Sequence, residues 1–299
     1  MNIQWYPGHM TRAKRKIEND IKLVDIVIEL RDARCPLASA NPDIKKVTGN
    51  KKRLVLLNKS DLADENVTKA WIDYFKADGV AAIAFDSRSR DGIDRIRKAA
   101  AELTKEKRER DAARGITGSR PVKCMILGIP NVGKSTFINS MLGKASAKTG
   151  NKPGVTKGNQ WVNVNNEMLL LDTPGVLWPK FDDEETAYCL AEIGSINDQV
   201  INIEELSVKL LDFLYDNYRD RLFERYEITE ESFDKKLENM STEVLGVSIR
   251  ALALLDLIAV KRGCIKRGGE PDYERGAKAF MDDFRSGKLG RISLQRPKQ

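Results

Sequence analysis

The chain has 299 residues, 41% hydrophobic and 32% charged, with 51 Lys and Arg against 44 Asp and Glu and a formal charge of +7. This balance suits one or two globular domains with a substantial core and favours a polyanionic partner. No run approaches the roughly 20 apolar residues of a membrane span, the first twenty residues are polar and charged, and Cys35, Cys124, Cys189 and Cys264 are scattered without C-x-x-C spacing. Membrane, secreted, disulfide-bonded and zinc-site classes are therefore set aside in favour of a cytoplasmic chain with reduced thiols.

The N-terminal stretch carries Trp5-Tyr6-Pro7-Gly8-His9-Met10, a Pro-Gly turn, then Thr11 as a helix cap for a run to about Asp20. His9 is the chain's single histidine. A first strand is expected over Val24–Leu30, leading to Asp32-Ala33-Arg34-Cys35-Pro36, where Arg34 either meets a partner or phosphate or shapes a turn. A second strand, Leu54–Leu57, ends at Asn58-Lys59-Ser60-Asp61. This fits N-K-x-D, in which a carboxylate accepts two N–H bonds from the N1 and N2 edge of guanine; adenine offers no such pair.

Asp64 to Ala77 is expected to be an amphipathic helix, with Val67, Ala70, Trp71, Tyr74 and Phe75 on its core face. A third strand, Val80–Phe85, leads to Asp86-Ser87-Arg88, placed as the loop behind the base, with Ser87 and Arg88 near guanine. Residues 93–114 read as a charged helix and 115–120 as a link.

The fourth strand, Val122–Leu127, enters Gly128-Ile129-Pro130-Asn131-Val132-Gly133-Lys134-Ser135, and a helix-compatible run from Thr136 to Leu142 leaves it. G-x-x-x-x-G-K-[ST] in a strand–loop–helix context is the phosphate loop. Its consecutive N–H groups face a polyphosphate, including those of Val132, Gly133, Lys134, Ser135 and Thr136. Lys134 reaches the β- and γ-phosphates, and the Ser135 hydroxyl ligates Mg²⁺. Asn131 either holds K⁺ beside the phosphates, supplying positive charge, or is an ordinary turn asparagine. Thr156, in the Gly/Pro-rich run 153–158, is the candidate switch residue closing on Mg²⁺ and the γ-phosphate, or a turn threonine. Strands over Gln160–Val164 and Met168–Leu171 precede Asp172-Thr173-Pro174-Gly175, a D-x-x-G loop with Asp172 holding Mg²⁺ through water and the Gly175 N–H sensing the γ-phosphate.

The motif order is unusual: N-K-x-D precedes the phosphate loop by about seventy residues. Reading 122–175 and then 24–100 restores the order common to GTPases, so the chain is read as a circular permutation, which is tolerated where native termini lie close on the surface. The expected fold is α/β: a circularly permuted P-loop GTPase domain, with a six-stranded, mostly parallel sheet flanked by helices, over residues 1–178. An all-α domain with a basic tail is expected over 179–299. Its helices are read at 184–194, 204–217, 219–226, 230–239, 242–262 and 272–285, with Leu245–Val260 central and buried. Acid-free basic runs at 144–157 and 285–299 suit phosphate backbones, or are solvated loops.

In these motifs, in their order, and in the tail from Asp283 to Leu294, the chain resembles the ribosome biogenesis GTPase A family of circularly permuted GTPases. The resemblance implies a GTP hydrolase that assists a late step of large (50S) ribosomal subunit assembly, with rRNA and ribosomal proteins as partners, no membrane, and a monomeric state. It implies GTP, Mg²⁺ and K⁺ as ligands and a helical RNA-binding domain. Val176 follows D-x-x-G, where many GTPases place a water-positioning glutamine, and valine cannot orient water. The resemblance gives that work to His9; docking of the N-terminal segment is the other role open to it. A GTP-binding RNA scaffold, and a GTPase acting on another RNA such as tRNA, are the alternatives.

Overall fold

The computed structural model describes residues 15–116, 120–143, 160–177, 183–240 and 248–298. They form two compact units: unit 1 holds the chain up to Leu190 and again from Ser293, and unit 2 holds Ala191–Ile292. This division differs from the expected 1–178 and 179–299. Unit 2 is an insertion in the chain of unit 1, and the last residues return to unit 1.

Unit 1 is built on six strands, β1 (Ile26–Asp32), β2 (Lys52–Asn58), β3 (Ala81–Ala84), β4 (Val122–Leu127), β5 (Gln160–Val164) and β6 (Met168–Asp172), in the order β3-β2-β1-β4-β6-β5. Every pair is parallel except β5 with β6. β1 is central and buried at all seven positions, which is why it reads as an apolar run rather than an alternation. Its one acid among the apolar positions, Glu29, bonds Arg31 at 2.9 Å. β1 runs two residues further than expected, because its pairing with β2 continues to Asp32 opposite Asn58.

Parallel pairs need crossovers. Residues 15–20 are helical (α1), and α2 (Pro42–Thr48) precedes β2. Between β2 and β3 runs α3 (Glu65–Ala77), started by Asp64, whose carboxylate accepts from Asn66 N and Val67 N. Val67, Trp71 and Phe75 face the core, while Tyr74, expected beside them, is exposed. The charged segment after β3 is two helices, α4 (Ile93–Leu103) and α5 (Lys105–Ala113). They part at Thr104, whose hydroxyl bonds the carbonyls of Ala100 and Ala101. α6 (Lys134–Leu142) follows β4, and α7 (Glu184–Glu192) leads out of unit 1.

The sheet order reverses between β1 and β4: β2 and β3 lie to one side, β6 and β5 to the other. Such a switch point opens a crevice at the carboxyl ends of its strands, where open α/β sheets bind ligands. Taken from β4 to β6 and then from β1 to β3, the strands follow the order of a P-loop GTPase, so the fold is a circularly permuted GTPase domain.

Unit 2 is helical: α8 (Ile203–Tyr226), α9 (Glu230–Glu238), α10 (Ile249–Lys261) and α11 (Tyr273–Arg285). α8 carries a non-helical residue, Tyr218 (φ −146°, ψ 34°), where two separate helices were expected. α10 packs on α8, α9 and α11, consistent with its apolar surface. It starts at Ile249 rather than near 242, because Ser248 is extended and caps it; 241–247 lie outside the described residues. All four cysteines are buried free thiols, and among the described residues no helix is long and apolar enough to cross a membrane.

α10 and α11 approach closely at one glycine. A Cβ on Gly276 would lie 2.8 Å from the Ala259 Cβ, closer than packed carbons come. Gly276→Val is expected to destabilise unit 2 by about 1–3 kcal/mol through overpacking, read as a lower midpoint in urea unfolding.

Candidate active site

Four loops meet at the switch point, each at the end of a strand. The loop after β4 is the phosphate loop. Gly128 and Gly133 take positive φ (155° and 102°), and a Cβ on Gly128 would lie 2.7 Å from Leu30 O. Asn131 is also left-handed, at φ 58°. The Lys134 side chain is buried beneath the loop and donates to Gly128 O (3.0 Å) and Ile129 O (2.8 Å). The loop is thus wrapped around its own ammonium group, with Ser135 and Thr136 in the first turn of α6. Burial lowers the Lys134 pKa to about 8, against the pull of the Asp172 charge.

Asp172 ends β6. It is buried, its Oδ1 has no hydrogen-bond partner, and burial pushes its pKa up to about 6, opposed by Lys134. A buried carboxylate oxygen left without a donor is costly. Beside a phosphate loop it fits a hydrated Mg²⁺, and Ser135, at the start of α6, is the other described residue of the expected Mg²⁺ set. Gly175 closes on the same loop: a Cβ there would lie 2.8 Å from Pro130 Cα and 2.9 Å from Lys134 Nζ. No side chain fits, so the Gly175 backbone comes to the phosphate loop directly. Val176 is buried; its N–H donates to Gly128 O (3.4 Å), and its carbonyl accepts from Asn41 Nδ2 (2.8 Å).

On the other side of the switch point, Asn58 joins three loops. Its Nδ2 donates to Val132 O at 2.6 Å, and its Oδ1 accepts from Ser87 N (3.0 Å) and Ser87 Oγ (2.8 Å). Asn58 and Ser87, both expected against the nucleotide, spend these bonds on fixing the phosphate loop, N-K-x-D and the loop after β3 to one another. Lys59 is left-handed (φ 57°) and pairs with Asp32 at 3.1 Å.

Asp61 Oδ1 is buried without a partner, while its Oδ2 accepts from Arg88 Nη2. Burial and the nearby Asp86 raise the Asp61 pKa, against Arg88. The carboxylate expected to read guanine therefore has one oxygen unclaimed and one on an exposed arginine that a base edge can displace. Arg88 faces Asp61 and Asp86.

Sequence reasoning left Arg34 open between a partner contact and a turn. The structure gives the turn: Arg34 is buried and makes a two-pronged pair with Asp32, Nε and Nη2 each at 2.9 Å. Arg34 and Lys59 hold the buried Asp32 carboxyl far below its ordinary range despite burial. Asp-x-Arg after a buried strand was the available signal for this cluster. His9, Thr156 and the basic run 144–157 lie outside the described residues. Of the basic tail, Arg285 pairs with Asp198 and Lys288 with Asp283, so these two are structural.

A polyphosphate beside Lys134 favours its charged form. GDP binding without Mg²⁺ is expected to take up protons at about pH 9, above the Lys134 pKa, and to take up fewer at about pH 7, where the amine is already charged. Calorimetry in buffers of different ionisation heat measures the difference.

Residues 123–248 match the family model described as 50S ribosome-binding GTPase. The chain is 43% identical over 299 residues to ribosome biogenesis GTPase A of Priestia megaterium, covering 100% of this chain and 98% of that one. It is 45% identical over 297 residues to the protein of the same name from Bacillus licheniformis, covering 99% of each. A crystal structure of GNP-bound YlqF from T. maritima superposes with a TM-score of 0.62 at 30% identity, over 96% of this chain and 99% of that one. With the phosphate loop, N-K-x-D and D-x-x-G assembled at one switch point, these likenesses establish that the chain belongs to the ribosome biogenesis GTPase A family and is a GTP hydrolase.

Proposed function

We propose that this GTPase binds the maturing large (50S) ribosomal subunit in the cytoplasm and promotes a late assembly step, bound with GTP and released on hydrolysis. The observation that carries the nucleotide half is the pair of unpartnered carboxylate oxygens, Asp61 Oδ1 and Asp172 Oδ1, one on each side of the switch point. They suit a guanine edge and a hydrated metal ion. In this reading Asp61 accepts from the base, while Lys59 and Ser87 shape its pocket and Asn58 fixes that pocket to the phosphate loop. Lys134 and the N–H groups from Val132 to Thr136 hold the phosphates. Asp172, Ser135 and Thr156 hold Mg²⁺, which when bound supplies positive charge against the polyphosphate. Gly175 senses the γ-phosphate through its N–H, Asn131 holds K⁺, and His9 orients the attacking water.

The ribosomal half rests on the relatives' names and on charge. In unit 2 a tight turn, closed by Lys266 N to Glu270 O at 2.8 Å and a bridge between Ile265 and Pro271, presents Lys266 and Arg267 to solvent, with no ion pair to either among the described residues. Two exposed cations on a rigid turn suit an RNA backbone.

Two experiments test the reading. Asp61→Asn replaces the double acceptor by a group that can also donate. It is expected to weaken GTP binding by about a hundredfold or more, from the charge-assisted bonds lost, and to favour xanthosine triphosphate, whose edge carries an oxygen where guanine has its amino group. An unchanged base preference in nucleotide competition would put the base elsewhere. For the partner, GTP hydrolysis is measured with and without purified large subunits, in K⁺ and in Na⁺, for wild type and His9→Ala. Stimulation by subunits that is lost in His9→Ala while binding persists is the expected outcome, with a K⁺ requirement if Asn131 holds the ion. Absence of stimulation would remove the subunit as activator.

A further inference from the structure

The last described residues return from unit 2 to unit 1 and lie against the loop after β1. Leu294 N and Gln295 N both donate to Arg34 O, at 2.7 and 3.2 Å. Gln295 Oε1 accepts from Leu37 N (3.1 Å) and Ala38 N (3.0 Å), and Gln295 O accepts from Trp71 Nε1 (3.1 Å). Ser293 Oγ accepts from Asp64 N at 3.1 Å.

These bonds answer a need of the local backbone. The loop after β1 is neither helix nor strand, and Ala38 is 2% exposed, so its N–H must find an acceptor inside the protein. A single glutamine oxygen satisfies two consecutive N–H groups. Its own backbone carbonyl then takes the indole N–H of Trp71, a residue that is fully buried on α3.

The two segments joined this way are the neighbours of N-K-x-D. The loop after β1 supplies Arg34, which pairs with Asp32 at the end of β1, and Asp32 pairs with Lys59. α3 begins just after Asp61, at the Asp64 cap. The tail's hydrogen bonds go to segments that precede and follow the motif in the chain: they reach Arg34, Leu37 and Ala38 before it and Asp64 and Trp71 after it.

We propose that the C-terminal segment, through Gln295, is a positioning strap for the guanine-reading loop. It fixes the backbone that carries Arg34 and Asp32, and through their pair with Lys59 it sets where Asp61 stands. The proposal deepens the reading of Asp61 as the base reader and rests on it. Gln295 is a positioning residue and makes no contact with the base.

The test compares GDP with inosine diphosphate, whose base lacks the 2-amino group, on the full chain. Wild type, Gln295→Ala, Gln295→Glu and a chain ending at Ile292 are titrated with both. Gln295→Ala and the shortened chain are expected to bind GDP about tenfold more weakly and inosine diphosphate less affected, so that the preference for GDP shrinks. At saturating GTP, kcat stays within about twofold of wild type, placing the loss in KM. Gln295→Glu, which keeps an acceptor oxygen for Leu37 and Ala38, restores the preference. An undiminished preference in Gln295→Ala overturns the strap, as does an equal loss for both nucleotides, which would mark a purely structural tail. Circular dichroism on each variant assigns a shortened chain that does not fold to that last outcome unless Gln295→Ala, folded, shows the selective loss. A wild type with no preference for GDP would instead overturn the guanine reading itself.

Discussion

One amide side chain fixes the geometry on which the nucleotide site depends. Asn58, 1% exposed at the end of β2, bonds Val132 of the phosphate loop with its nitrogen and Ser87 of the loop after β3 with its oxygen. Those three loops arise from strands at different places in the sheet and come from residues far apart in the chain. None of them has a regular ladder at its tip. An aspartate here would lose the donor to Val132 O, and a leucine would leave Val132 O and Ser87 N buried and unmatched, at about 1–3 kcal/mol for each group. The same contact explains the glycine beside it: a side chain at Gly133 would collide with the Asn58 amide.

Permutation gives this crosslink added weight. In this chain the guanine motif and the phosphate loop are joined through α3, β3, α4, α5 and residues 114–121, not through the D-x-x-G strand. No short connection holds them in register. A side-chain bond across the switch point takes that role, from Asn58 at the end of β2 to the loop after β4; on the β4 side, Thr173 Oγ1 on Ile126 O at 2.6 Å ties the loop after β6 to β4. On the far side, Asp32 performs a similar service for Lys59.

Most of the architecture was legible in the sequence because it rests on periodicity and on motifs with fixed local context. All six strands lie where apolar runs placed them, and β4 and β5 have the expected ends. α3 shows where pattern reading stops. Val67, Trp71 and Phe75 follow helical spacing into the core, but Tyr74 has the same apolar character and faces outward, because one-residue differences in azimuth decide burial at the edge of a stripe. The kink at Tyr218 was anticipated as a break between helices, whereas the start of α10 was set by a cap, Ser248, that hydrophobicity cannot show. The site was legible to the extent that its residues lie within one motif. Arg34 was ambiguous because its partner, Asp32, lies two residues away on a strand end, and only the fold shows both to be buried.

The C-terminal segment shows a related limit. Its lysines and arginines read as a basic run suited to phosphate backbones or as a solvated loop, and charge is what sequence displays most readily. The residue that matters to unit 1 is uncharged. Gln295 satisfies backbone groups more than two hundred and fifty positions earlier, and nothing in local composition marks a glutamine as the acceptor for a distant loop. Arg285 and Lys288, by contrast, are spent on carboxylates within unit 2. The helical unit is therefore joined to the GTPase fold by chain at both its ends, once through α7 and once through a tail bonded beside N-K-x-D. The α7 path leaves unit 1 after the D-x-x-G loop at Gly175, and the tail is bonded to segments that precede and follow N-K-x-D in the chain.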